Sequence, residues 1–265
     1  MLEFVKKIET KKNSIFYSLF RKNDGKIIGV GREHYSARRS IHVEFDEKFD
    51  IIKENDAVFH GEDPRIFECN GDIYMTDNYS SDIHVYNFTT NKSIKINLLG
   101  KNFPIFEYNG KIFTIHIINP FTVYLVDFES GDATLYKEFP LNSDFTRTYR
   151  GGTPGYKNPW VRNAFYGFGH KTHIDNNTLK HDLFLWKLSF GDDTSENEIV
   201  SYEIIDIAKP PGGKNVFDPT SIICMHDEYF LITAESDREW FHEQDYDTNV
   251  YKINPELFRN FLQYS

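Results

Sequence analysis

Cysteine is scarce. Cys69 and Cys224 are the two in 265 residues, too few for a disulfide-stapled scaffold. Each lies in or just after an apolar strand-like run, so the expectation is two buried thiols. Grouped positive charge is scarce as well: the net charge is -10 and the one compact basic pair is Arg38-Arg39. That argues against a nucleic-acid partner, because binding a phosphate backbone draws on clustered Lys and Arg. No apolar run is long enough for a membrane span or a signal peptide, and residues 1–12 alternate apolar and charged side chains. A soluble, cytoplasmic protein is therefore expected. Linkers rich in Pro, Gly or Ser are missing, which favours a single domain over residues 1–265. Also missing are His-Glu-x-x-His spacing, a Gly-x-Ser-x-Gly elbow and a phosphate loop, so no metal site is expected.

What the chain has in abundance is aromatic side chains, 24 Phe and 16 Tyr, which suit the half-buried surface of a strand. Strand-like runs recur in a regular order. Ser14-Ile15-Phe16-Tyr17-Ser18-Leu19-Phe20 and Lys26-Ile27-Ile28-Gly29-Val30 flank Asn23-Asp24-Gly25, a hairpin signal because Asp and Gly tolerate positive φ. Two later units match closely: Arg65-Ile66-Phe67-Glu68 turns at Asn70-Gly71, and Ile105-Phe106-Glu107-Tyr108 turns at Asn109-Gly110, each followed by two or three further runs. A turn ending in proline opens these units at Pro64 and Pro104, and others at Pro154 and Pro219. Four short strands per unit, joined by tight turns, is the pattern of a propeller blade. With the N-terminal meander the count is five. The expected fold is all-β, a five-bladed β-propeller with a short C-terminal helix, since Asn254-Pro255 provides a helix start and apolar residues follow at 257, 258, 261 and 262.

Radial repetition brings the equivalent turn of every blade to one end of the central channel. Residues far apart in sequence then converge: Glu62, Asp63 and Arg65; Lys101 and Asn102; Arg150, Gly151 and Thr153; Asp218; and, after neighbouring strands, Arg32, His170, Asp237 and Arg238. The resulting pocket is polar and mixed in charge, which suits a hydroxyl-rich ligand rather than a lipid. Plainer roles stand beside these. Asp at a strand entrance forms turns through its own backbone bonds, Arg65 either binds ligand or pairs with Glu62 to hold the turn, and Gly151-Gly152 either lets a ligand approach closely or makes a tight turn. His34, His116 and His170 read as structural partners of strands, Trp186 as core, and Trp160 and Trp240 as core or rim.

Gly61-Glu62-Asp63-Pro64-Arg65-Ile66 resembles the blade-opening motif of the β-mannoside phosphorylases and their hydrolase and mannosyltransferase relatives. Lys101-Asn102-Phe103-Pro104, His116-Ile117-Ile118-Asn119-Pro120, Arg150-Gly151-Gly152-Thr153-Pro154, Gly169-His170 and Glu235-Ser236-Asp237-Arg238 follow in the same order. The resemblance implies a five-bladed propeller of the kind shared with arabinan- and fructan-cleaving enzymes, and it places the single general acid of an inverting displacement on Asp63. An inverting hydrolysis uses a second carboxylate to activate water, a part open to Asp218 or Asp237. The chain departs from the phosphorylases in its second blade, where Thr76-Asp77-Asn78-Tyr79-Ser80-Ser81-Asp82 has no basic residue in place of an arginine.

That departure turns the expectation toward an inverting glycosyltransferase. It would form a β-linked glycan from a nucleotide-sugar donor and a glycan acceptor, with Asp63 as acid/base, the other converging residues binding substrate, and no further cofactor. The alternatives are a glycoside hydrolase or phosphorylase acting on β-linked oligosaccharides, and a propeller that binds a glycan or a protein without chemistry.

Overall fold

The computed structural model describes residues 1–10, 14–33, 39–55, 59–79, 81–140, 148–192, 198–237 and 246–263, and it is a five-bladed β-propeller. After β1 (Leu2–Lys7), blade 1 comprises β2 (Ser14–Arg21), β3 (Ile27–Glu33), β4 (Arg39–Phe45) and β5 (Ile51–Glu54), with the short β6 (Phe59–His60) also paired to β4. Blade 2 is β7 (Glu62–Cys69), β8 (Asp72–Tyr79), β9 (Asp82–Asn87) and β10 (Lys92–Leu99). Blade 3 is β11 (Ile105–Tyr108), β12 (Lys111–Ile118), β13 (Phe121–Val126) and β14 (Ala133–Glu138). In blade 4 the inner strand is split into β15 (Thr148–Gly151) and β16 (Tyr156–Lys157), ahead of β17 (Ala164–Asp175), β18 (Thr178–Phe190) and β19 (Ile199–Ile207). Blade 5 is β20 (Val216–Met225), β21 (Glu228–Ser236) and β22 (Asp247–Ile253), after which the chain ends in α1 (Pro255–Gln263).

The hairpins are set by their turn residues. Asn70-Gly71 has φ of 51° and 80°, and Asn109-Gly110 has 50° and 73°, so both central residues are left-handed and the turn twist matches that of the strands. Asn176-Asn177 and His226-Asp227 do the same without glycine. One pairing was not foreseen from sequence. β1 lies antiparallel to β22 as the outermost strand of blade 5, so the first strand completes the last blade and closes the ring.

Alternation along the strands sends apolar side chains to both faces of each blade, and a core forms between every pair of neighbours. Tyr17, Leu19 and Val43 of blade 1 meet Ile223, Ile232 and Val250 of blade 5. Blades 2 and 3 share Phe67, Val85, Ile105 and Val126, and blades 3 and 4 share Phe106, Phe113, Trp186 and Phe190. Trp186 is fully buried, as expected. Helix α1 buries Phe258 and Leu262 against Tyr166 and Phe168 of blade 4 and Leu231 of blade 5, with Trp160 packed on the same cluster. A smaller core lies between blades 1 and 2: Ile28, Val30, Ile66, Met75 and Tyr86. Cysteine corrects one expectation. Both thiols are free, Cys69 is buried, but Cys224 is exposed, because it falls on the outward phase of β20 between buried Ile223 and Met225. Among the described residues no helix is long and apolar enough to cross a membrane.

Removing residues 1–8 tests the closure. It exposes the edge of β22 and strips Leu2 and Ile8, 9% and 1% exposed, from the core. At about 1.5–3 kcal/mol per buried aliphatic side chain, the truncated protein is expected to melt roughly 10 °C lower, measured by thermal unfolding; an unchanged melting temperature would show that ring closure does not depend on β1.

Candidate active site

The innermost strands are kinked where the blades begin. In blade 2, Glu62 pairs with Asn78 and Arg65 with Thr76, so Asp63 and Pro64 bulge out opposite the single residue Asp77. Asp63 takes a φ of 52° within the bulge, a conformation that a short polar side chain tolerates. Blade 1 repeats the device: register slips between Ile15 and Ser18, and Phe16 takes a φ of 57°, unusual for so bulky a residue. Asn102, just ahead of blade 3, also has a φ of 57°.

Arg65 ties these openings together. It is 2% exposed; its Nε donates to the Gly152 carbonyl at 2.5 Å, and its Nη1 donates to the carbonyls of Asp63 at 3.1 Å and Pro64 at 3.0 Å. Burial works against its charge, which Asp63 and Asp218 support. Arg65 thus spans blades 2 and 4 and holds the bulge that presents Asp63, while its Nη2 is buried without a hydrogen-bond partner among the described residues. The glycine pair serves the same packing. A Cβ on Gly151 would lie 2.3 Å from the Pro104 ring, and one on Gly152 would lie 2.5 Å from the Pro219 ring, so blades 3, 4 and 5 meet closely there. Thr153 is buried, accepting from Phe168 N at 3.0 Å and donating to the Pro154 carbonyl at 2.9 Å.

Around this support stand the accessible charges. Asp63 Oδ1 pairs with Arg32 Nη1 at 3.2 Å, and the guanidinium lies over the Phe16 ring, 5.0 Å from its centroid. Glu62 Oε2 pairs with Lys101 Nζ at 2.9 Å. Arg150 is exposed on β15. Asn102 is buried with its Oδ1 lacking a hydrogen-bond partner. The predicted convergence of residues 62–65, 101–102, 150–153 and 218 is thus realised through contacts between blades.

Asp218 and His170 lie deeper. His181 Nδ1 bonds Asp218 Oδ1, His170 Nδ1 lies 3.3 Å from the same oxygen, and the two imidazoles stack 4.3 Å apart at 12°. All three residues are buried. Burial alone would raise the Asp218 pKa, but the neighbouring His181 and His170 imidazoles, the hydrogen bond from His181 and the Arg65 guanidinium hold it well below the usual carboxylate range. Burial keeps His170 neutral, its pKa held down to about 3 against the pull of Asp218. Ligand atoms of His170, His181 and Asp218 lie within 4.8 Å of one another, a spacing that could hold a metal ion. Asp218 Oδ1 is engaged by both imidazoles, and the side chain is buried. Asp237 is exposed and accepts from Asn215 N at 3.2 Å within blade 5. Arg238, His34 and Trp240 lie outside the described residues.

One group escaped the sequence reading. Asp77 is 4% exposed, its Oδ1 has no hydrogen-bond partner, and burial pushes its pKa up to about 7. Counting back from the Asn70-Gly71 turn sets residue 77 against the Asp63-Pro64 pair, so the signal was present in the hairpin register.

No protein-family model and no curated protein matches the chain. Solved structures do share the fold. A mannose phosphorylase from Leishmania mexicana, in complex with phosphate ion, is 13% identical with a TM-score of 0.62, covering 97% of this chain and 91% of that one. A hypothetical protein from Leishmania major is 14% identical with a TM-score of 0.61 over 96% and 91% of the two chains. The β-xylosidase RS223 is 12% identical with a TM-score of 0.59 over 95% and 96%. The similar structures with described activities are thus a phosphorylase and glycoside hydrolases, which overturns the expectation of a glycosyltransferase fed by a nucleotide sugar.

The buried imidazole has a measurable consequence. The unfolded chain protonates His170 near pH 6.5 and the folded protein only near 3, so between these values the unfolded state binds the extra proton and acid favours it. Stability attributable to this residue should fall by roughly 1.4 kcal/mol per pH unit on going from pH 6.5 toward 3. Denaturant titrations of His170→Gln across that window should show a shallower acid dependence; identical slopes would mean that the folded protein binds the proton.

Proposed function

We propose that the protein cleaves β-linked oligosaccharides by hydrolysis, with Asp63 as the proton-transfer residue. The observation that carries the choice of hydrolysis is the commitment of the nearby cations. Arg32 is paired with Asp63, Lys101 with Glu62, and Arg65 with three backbone carbonyls. Phosphate is captured by forked, charge-assisted bonds from such groups, and here each already bonds the protein itself, with Arg65 Nη2 left buried and without a hydrogen-bond partner among the described residues. The carbohydrate substrate is supported by the mixed-charge mouth and by the glycosidase and phosphorylase descriptions of proteins that share the fold at low identity.

In this reading Asp63 donates a proton to the glycosidic oxygen as the bond breaks. The Arg32 guanidinium, seated on Phe16, and the Arg65 bonds to the bulge carbonyls fix the direction from which it does so. Glu62 and Lys101 line the neighbouring wall, where hydroxyl groups of a sugar find both an acceptor and a donor.

Phosphorolysis is the second reading, favoured by the fold shared with a phosphate-bound mannose phosphorylase and by the exposed Arg150. Incubation with β-linked oligosaccharides, with and without inorganic phosphate, separates the two. Free reducing sugar at a rate independent of phosphate is expected, whereas sugar 1-phosphate formed only with phosphate would favour the second reading. Asp63→Asn should lower kcat by roughly 10²–10⁴-fold, the usual scale of general acid–base catalysis, with oligosaccharide binding retained. Unchanged turnover in that variant, or no cleavage by the unmodified protein, would contradict the assignment.

A further inference from the structure

The cleft between blades 1 and 2 has an apolar floor and a polar top. On β3, Ile28 and Val30 face blade 2 and pack on Ile66, Met75 and Tyr86. Two residues further along each strand the same faces carry Arg32 and Asp77, since side chains alternate with period two. Arg32 reaches across to Asp63. Asp77 sits under the turn that leads into Asp63: a Cβ on Gly61 would lie 2.4 Å from its carboxyl carbon, so that glycine leaves room for the carboxyl group. Asn78, next in the strand, donates to the Glu62 carbonyl at 3.1 Å and ties the turn down over it. Asp77 and the Asp63-Pro64 bulge are therefore opposed across one hairpin.

An acceptor oxygen buried without a partner costs free energy, and Asp77 Oδ1 is such an atom among the described residues. His84 on β9 brings its Nδ1 to 3.6 Å from Asp77 Oδ1, Asp63 on β7 stands opposite Asp77 in the hairpin register, Arg32 on β3 pairs with Asp63, and His42 lies on β4, the strand beside β3. The His84 contact is an ion pair only when the imidazole is protonated. Asp63, in contrast, is held in an ion pair with Arg32.

We infer that Asp77 is the proton donor to Asp63, a positioning residue of the site rather than one that touches substrate. This rests on the reading of Asp63 as the proton-transfer residue. The proton of Asp77 passes to the Asp63 carboxylate, directly or through one water. Asp63 passes one proton to the leaving glycosidic oxygen as the C–O bond breaks. The attacking water forms the new C–O bond and loses one proton to solvent, from which Asp77 is reprotonated. The site then works with Asp77 neutral, and its rate falls as pH rises through the value near 7 at which that proton is lost.

The test joins a kinetic and a spectroscopic measurement. In the pH profile of kcat on a β-linked oligosaccharide, the unmodified protein should lose activity with an apparent pKa near 7. Asp77→Asn should abolish or move that limb and lower kcat by roughly 10–100-fold with KM little changed, while Asp77→Glu restores part of both. Gly61→Ala, which presses on the carboxyl group without removing a titrating one, should shift the limb. Infrared difference spectra of free protein, unmodified minus Asp77→Asn, should show a protonated carboxyl band that disappears near pH 7. A limb unmoved in folded Asp77→Asn, or an Asp77 already ionised at pH 5, overturns the proposal while leaving Asp63 cleavage intact. No cleavage by the unmodified protein overturns the hydrolase reading and this role with it, and the infrared band then reports on Asp77 alone.

Discussion

Much of the structure depends on one buried guanidinium. Arg65 enters from the inner strand of blade 2, closes on its own bulge through the Asp63 and Pro64 carbonyls, and crosses to Gly152 in blade 4. A buried charge is costly unless its hydrogen bonds are met; three carbonyls bond Nε and Nη1 and the charges of Asp63 and Asp218 support the guanidinium, while Nη2 has no hydrogen-bond partner among the described residues. The consequence is geometric. The bulge cannot relax without giving up bonds to a buried charge, so the left-handed Asp63 is held where Arg32 meets it.

The remaining links run around the ring at the same level. Ser18 Oγ donates to the Thr220 carbonyl and accepts from Ile66 N, Thr220 Oγ1 donates to the Tyr17 carbonyl, and Tyr156 accepts from Ile222 N through its hydroxyl. Gly155 N bonds the Ile105 carbonyl. Small hydroxyl side chains and glycines thus stitch innermost strands whose outer portions are held by apolar packing. The division of labour is consistent with a rigid scaffold carrying a site at its mouth, since precise placement requires the supporting groups to be locked first.

Much of this was legible in the amino-acid order. Asn70-Gly71 and Asn109-Gly110 marked hairpins because positive φ at both residues is a local property, and the prolines marked the openings of blades because the residues around them kink the inner strand. What was not legible is what depends on distant partners. β1 reads as a strand in isolation, but its pairing with β22 is a property of ring closure. Asp218 looked like a free carboxylate until His170 and His181, from a hairpin of blade 4, were found against it. Arg65 looked equally suited to ligand or turn until its bonds to backbone carbonyls were seen, and Asp77 drew notice only for the basic residue missing near it.

The central claim is that Asp63, presented by the Arg65-locked bulge, acts on a glycosidic oxygen. It is tested most directly by a crystal structure of Asp63→Asn grown with an intact β-linked oligosaccharide. The account predicts the sugar in the mouth between Arg32 and Lys101, with its glycosidic oxygen about 2.6–3.2 Å from the side chain at position 63. A sugar bound with that oxygen out of reach of position 63, or seated away from the mouth, would contradict it.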